Sequence, residues 1–216
     1  MEILQIDGSL SLKRTVDGGT EEQRKAVQNI IDEVRTSGDQ ALRTFTEKFD
    51  AVALDDFLVT DEEISDAYKT VSSQLVDIIT EAADNIRKYH KKQLRPSWMT
   101  TEENGTMLGQ KVTPLDSVGV YVPGGTAAYP SSVLMNVIPA KTAGVQRIVM
   151  VSPPGRDGKL PAGVLVAADI AGVKEIYKVG GAQAIAALAY GTETIKPVDK
   201  ITGPGNIYVA LAKREV

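Results

Sequence analysis

Val118-Gly119-Val120-Tyr121-Val122-Pro123-Gly124-Gly125-Thr126 is an apolar run that stops at a proline–glycine turn. The same arrangement recurs three times downstream. Arg147-Ile148-Val149-Met150-Val151 runs into Ser152-Pro153-Pro154-Gly155, and Glu175-Ile176-Tyr177-Lys178-Val179 into Gly180-Gly181-Ala182-Gln183. Lys200-Ile201-Thr202 runs into Gly203-Pro204-Gly205-Asn206. Continuous apolar strands belong to sheets whose two faces are both covered by helices. Each turn is followed by a helical pattern: Val133 to Ala143, Pro161 to Ala171, Ala182 to Ala189 and Gly205 to Glu215. Strand–helix alternation at this spacing predicts an α/β fold with a parallel sheet. Ser131 or Ser132 is expected to cap the first of these helices, and Pro139 to kink it or loosen one turn.

Upstream the pattern changes. Residues from about 20 to 100 read as mainly helical, and after about residue 114 charges thin out while glycine, alanine, valine and proline take over. The chain therefore divides into a mainly helical part, 1–116, and an α/β part, 117–216. Thr20 with Gln23 and Thr60 with Glu63 have the form of capping boxes. Val27, Ile30, Ile31 and Val34 mark one helical face; Ser37-Gly38-Asp39 breaks it, and Leu42, Phe45 and Phe49 continue beyond. A longer helix carries Leu75, Ile78, Ile79, Ala82 and Ile86 on its expected buried side and ends before Pro96. Leu54 to Val59 and Met107 to Val112 are expected as strands.

Composition narrows the function. The chain of 216 residues has net charge −4, which argues against a nucleic-acid binder needing a basic stripe. No apolar run approaches the ~20 residues of a membrane span, and Met1 to Asp7 has neither the basic flank nor the apolar stretch of a signal peptide. Cysteine is absent, which excludes disulfides and thiolate metal sites and suits a reducing cytoplasm. His90 is the sole histidine, one helical turn after Ile86; it reads as structural, because a catalytic zinc takes three protein ligands. Asp61-Glu62-Glu63 reads as a helix first turn, where negative charge is favourable.

Ligands of open α/β sheets bind at the carboxyl ends of the strands. A helix start after a glycine turn offers free N–H groups and a positive dipole end, which suits phosphate, although any α/β domain needs tight turns. The ordinary dinucleotide fingerprint is missing: no turn reads G-x-G-x-x-G, and Val151-Ser152-Pro153 stands where an acidic residue would hold a ribose. There is no P-loop. Three turn residues are candidate ligand contacts. The Tyr121 ring can stack on a base or sugar, or fill the core. The Gln183 amide can bond a ribose or nicotinamide, or cap local backbone, and Asn206 stands in a similar place.

Several ordered blocks resemble the histidinol dehydrogenase family. They are Val120 to Gly125, Tyr129-Pro130-Ser131-Ser132-Val133-Leu134-Met135, Ile138-Pro139-Ala140 with Ala143-Gly144-Val145, Val179 to Thr192, Val198-Asp199-Lys200-Ile201, and Gly203-Pro204-Gly205-Asn206 with Tyr208-Val209 and Ala212-Lys213. Gly38-Asp39-Gln40-Ala41-Leu42, Phe49-Asp50, and Ile86 with His90 and Gln93 extend the likeness upstream. The resemblance implies an incomplete Rossmann-like sheet of the aldehyde dehydrogenase-like architecture. It implies oxidation of L-histidinol to L-histidine through the aldehyde, in histidine biosynthesis, with NAD and zinc as cofactors. It also implies a cytoplasmic homodimer, with Tyr121, Gln183 and Asn206 at the family's NAD contacts. The family's zinc ligands, its proton-transferring glutamate and histidine, and its Ala-Gly-Pro-Ser-Glu block have no counterpart in these 216 residues, which correspond to roughly the first half of a member. No catalytic or metal residue is therefore assigned here. The expectation is a fragment inactive alone, self-associating through a partly unsupported last helix and an open strand edge. The alternatives are a nucleotide-binding module without chemistry, or a remnant that binds nothing.

Overall fold

The computed structural model describes residues 18–124 and 127–216. The reading of Met1–Asp7, and Gly125 and Thr126 of the first turn, lie outside the described residues. The chain opens with α1 (Glu21–Asp50), α2 (Asp61–Thr70) and α3 (Ser73–Lys91), followed by β1 (Trp98–Thr101) and β2 (Met107–Gln110). Then come β3 (Ser117–Tyr121), α4 (Pro130–Thr142), β4 (Arg147–Ser152), α5 (Ala162–Ala171), β5 (Glu175–Lys178), α6 (Gly181–Tyr190), β6 (Lys200–Thr202) and α7 (Ile207–Glu215).

The parallel sheet has the order β5-β4-β3-β6. Alternate side chains of its strands enter two separate cores. Val118, Val120, Ile148, Met150 and Ile176 join the one beneath α2, α3, α4 and α5. Tyr121, Val149, Val151 and Tyr177 join the other, beneath α1, α6 and α7. This two-sided burial is why the strands read as continuous apolar runs.

Both expected capping boxes form. Thr20 Oγ1 accepts from the Gln23 N–H while the Gln23 side chain accepts from the Thr20 N–H, and Thr60 and Glu63 repeat the exchange. The break at 37–39 is a kink inside α1. Gly38 adopts φ +50°, and a Cβ there would meet Glu193 Oε2 at 2.3 Å. The Asp39 N–H donates to that carboxylate at 2.7 Å, and Thr194 donates to the Asp39 side chain, so the bend is locked to the loop after α6. Buried alanines on α6 let α1 pack closely against it.

Several expectations are corrected. α4 begins at Pro130, whose fixed φ suits the first helical position, and neither Ser131 nor Ser132 caps it. Pro139 stands inside α4, which continues to Thr142; having no N–H, it cannot donate to the Met135 carbonyl one turn back, which leaves that turn one bond short. Leu54 to Val59 forms only a single antiparallel bridge, Leu58 with Tyr177. Around that bridge Val59 N–H donates to the Ile176 carbonyl at 2.9 Å and Lys178 N–H to the Phe57 carbonyl at 2.7 Å, while the Leu58 N–H, directed away from β5, is taken by Asp56 Oδ1 at 2.9 Å. Met107–Gln110 is a strand, but its partner is the unanticipated Trp98–Thr101, and every residue of this hairpin is exposed. On α3, Ile79 and Ala83 are buried with Val76, Ala82 and Ile86 packed beside them, whereas Leu75 and Ile78 face outward. α7, expected to be partly unsupported, buries Val209, Leu211 and Ala212 against α1 and α6 and leaves Tyr208 exposed. The β1–β2 hairpin adds exposed apolar surface of its own, at Trp98, Met99, Met107 and Leu108. Among the described residues no helix is long and apolar enough to cross a membrane.

Candidate functional site

The turns at the carboxyl ends of the four parallel strands border one cleft of about 710 Å³, lined by Tyr121, Pro123, Pro153, Gly181, Gln183 and Asn206 among others. All three candidate contacts read from the sequence therefore converge. The close fit of these turns depends on missing side chains: a Cβ on Gly180 would come within 2.4 Å of Pro153 Cβ. Lys213 Nζ donates to the Gly203 carbonyl at 2.6 Å, tying the last turn to α7, and burial holds this ammonium below its usual pKa.

The three residues stand differently. Tyr121 is a core residue, buried on the α6 side, and its hydroxyl accepts the Gly181 N–H at 3.1 Å. Burial pushes its phenol pKa upward, so it remains a neutral donor at the cleft wall. Asn206 is exposed and caps α7, its Oδ1 accepting the Val209 N–H at 3.1 Å; its amide nitrogen is left over from that role. Gln183 is the unusual case. It sits in the first turn of α6, only 1% exposed, and neither its Nε2 nor its Oε1 has a hydrogen-bond partner. An unpartnered buried amide costs about 1–3 kcal/mol. α6 itself starts at Gly180 with no side-chain cap, which leaves its positive end open toward the cleft.

The opposite wall comes from α1, and sequence reasoning missed it. Phe45 and Phe49 stack with ring centroids 5.7 Å apart, and Phe49 is 51% exposed at the cleft. Asp50 follows, with its Oδ2 buried and unpartnered, and burial pushes its carboxyl pKa from 3.8 up to about 6. The available signal was two phenylalanines four residues apart ending in an acidic residue, but nothing local says that this end of α1 reaches the strand turns. His90 is far from this chemistry in role: at the end of α3 its Nδ1 lies 2.6 Å from Gln93 Oε1. Among the described residues no group of three or more His, Cys, Asp or Glu side chains converges to hold a metal.

A parallel four-stranded sheet covered on both faces, with one cleft at its carboxyl edge, is a Rossmann-like α/β architecture. The histidinol dehydrogenase family model matches residues 13–216, so the chain belongs to the histidinol dehydrogenase family. The histidinol dehydrogenase of Bacillus subtilis (strain 168) is 66% identical over 218 residues, covering 100% of this chain and 51% of that protein. That of Geobacillus kaustophilus is 68% identical over 216 residues, with the same coverage of 100% and 51%. The crystal structure of histidinol dehydrogenase from Elizabethkingia anophelis superposes with a TM-score of 0.88 at 38% identity, covering 91% of this chain and 46% of that one. The chain spans about half the length of the curated relatives it matches.

Proposed function

We propose that these 216 residues form the dinucleotide-holding part of a histidinol dehydrogenase, with NAD seated in the cleft against Tyr121, Gln183 and Asn206. The observation that carries this reading is the Gln183 amide, buried and facing the cleft with both polar atoms free. A group kept so at a folding cost suits an incoming ligand that donates and accepts at once, as a ribose or carboxamide does. The uncapped start of α6 offers backbone N–H groups to a pyrophosphate. The Phe45–Phe49 pair offers an apolar face to a base.

When bound, NAD would supply the hydride acceptor, one oxidised coenzyme for each of the two oxidations, L-histidinol to the aldehyde and the hydrated aldehyde to L-histidine, with a proton released at each. This chain's residues hold and orient. Gln183 fixes the polar edge of the coenzyme, the Tyr121 hydroxyl keeps the Gly181 backbone in place beneath it, and the proline-rich turns exclude water. Zinc belongs to the same reading of the whole enzyme, but no described cluster here suits it, and no step is routed through these residues to a metal. Residues 1–116 supply the α1 wall and 117–216 the turns. A cytoplasmic homodimer completes the reading. The exposed apolar strip of the β1–β2 hairpin supports the dimer; light scattering of the chain should show self-association, and a sharply monomeric species at high concentration would contradict it.

The coenzyme reading is tested by calorimetric titration of NAD into this chain. Saturable one-site binding, lost in Gln183→Leu, is expected; no binding, or binding indifferent to Gln183, would overturn it and leave a module that binds something else or nothing.

A further inference from the structure

The end of α1 gathers three unfavourable features within two residues. Asp50 puts a negative charge at the carboxyl end of α1, beyond its kink at Gly38, where the helix dipole is itself negative. Its Oδ2 is buried without a partner, and its carboxylate takes part in none of the ion pairs found among the described residues. The next residue, Ala51, is the left-handed C-cap that ends α1; it holds φ +57° and is the sole non-glycine residue with positive φ among those described. Left-handed backbone costs an alanine on the order of 1–2 kcal/mol. The cap accounts for the backbone, but a buried, unpartnered carboxylate at the negative end of a helix invites a ligand-based explanation.

The place supplies it. Asp50 lines the same cleft as Tyr121, Pro153, Pro154 and Gln183. In a dinucleotide fold the strand that follows the first one ends in an acidic residue whose carboxylate accepts from the ribose 2′-hydroxyl. Here that strand is β4, and its end is Ser152-Pro153-Pro154, with no acid. Resting on the coenzyme reading of this cleft, we infer that Asp50, delivered by α1 from the opposite wall, replaces the missing strand-end acid. It accepts a hydrogen bond from the adenosine ribose 2′-hydroxyl and rejects a 2′-phosphate, so it sets the preference for NAD over NADP. The bond uses the Asp50 oxygen that lacks a partner. Lys48 lies nearby, but its Nζ sits 5.4 Å from the centroid of the Phe49 ring and makes no ion pair with Asp50. The carboxylate is therefore left to meet the ligand without a neutralising partner, and a phosphate brought beside it would face uncompensated like charge.

The test is calorimetric titration of the chain with NAD, NADP, AMP and adenosine 2′,5′-bisphosphate. A hydrogen bond to a charged acceptor supports an NAD-over-NADP preference of about tenfold or more in the unaltered chain. Asp50→Asn keeps the shape and removes the charge; NADP and the bisphosphate should then bind about tenfold tighter, with NAD weakened a few-fold at most. Asp50→Ala should weaken NAD and AMP alike, and circular dichroism melts confirm that both variants fold. If the ratio of NAD to NADP affinity is the same in the unaltered chain and in Asp50→Asn, the inference falls. Gln183→Leu separates the two readings. Should the chain bind NAD, lose it in Gln183→Leu, and yet ignore changes at Asp50, the ribose assignment alone is wrong. Should the unaltered chain bind none of the four nucleotides, the cleft reading fails and takes this inference with it.

Discussion

Beneath α2, α3, α4 and α5, the polar groups that reach inward are matched. Tyr68 donates to Asp169 at 2.9 Å, and Lys178 at the end of β5 meets Glu63 of α2 at 3.1 Å, with both side chains largely buried. On the α1 side Asp39 is matched by Thr194 and the Tyr177 hydroxyl by the Thr194 carbonyl, but toward the carboxyl edge of the sheet the pattern reverses. The buried side-chain atoms without partners among the described residues belong to Thr46 and Asp50 of α1, Ser152 at the end of β4, and Gln183 of α6. Both cores bury comparable sets of aliphatic residues, so the difference lies in polar satisfaction alone. Unsatisfied groups are tolerated where something outside the chain completes them. Asp50 and Gln183 line the cleft and Ser152 ends the strand beside it, so that edge is built for binding and the matched interior for stability.

The largest effect is expected on the matched side. Lys178→Met strands the Glu63 carboxylate in a poorly solvated place and should cost about 3 kcal/mol in a urea melt, without altering NAD affinity. A loss of affinity instead would mean that the two sides are coupled. On the unmatched side, Gln183→Leu should weaken NAD by about tenfold or more while leaving folding stability equal or higher, because an unpaired amide is exchanged for an apolar group of similar size. A large loss of stability there would make the amide structural. Tyr68→Phe should cost about 1 kcal/mol and leave the coenzyme unaffected, since it removes one hydrogen bond and leaves Asp169 without its donor.

The smallest effect is a dependence on pH. The Asp50 carboxyl titrates at about 6 in the folded chain against 3.8 when unperturbed, so the folded state binds the proton more tightly. Its contribution is present at low pH and is lost as pH rises from about 4 to about 6. The stability difference between Asp50→Asn and the unaltered chain should therefore grow in the variant's favour across that window, by about 1 kcal/mol once solvent screening is allowed for. Paired thermal melts from about pH 4 to about pH 7 read this directly. A constant difference would show that the carboxylate is better solvated than its surroundings indicate.

The α/β part was legible because two-sided burial makes each strand a continuous apolar word, and because the turns must be glycine where they crowd one another, as Gly180 does against Pro153. Tyr121, Gln183 and Asn206 could be picked out because they follow those turns immediately. What stayed hidden was set by distant contacts or by exposure. The strand Trp98–Thr101 has no buried face and hence no alternation to read. The segment after Asp56 looks like a strand, yet it meets β5 only around Leu58. Leu75 and Ile78 fit a helical stripe, but α3 presents a face turned toward Val76 and Ala83 to its neighbours. The α1 wall of the cleft could not be seen because it requires the bend at Gly38, fixed by Glu193 and Thr194 from the far end of the chain.

A crystal of this chain grown with NAD addresses the binding reading without intermediaries. The expected result is a dinucleotide lying across the carboxyl edge of the sheet, with the Gln183 amide bonded to it and Phe49 against its base. A coenzyme seated on the α2–α5 side, or a cleft that stays closed to it while Gln183 finds a partner within the protein, would be incompatible with that reading.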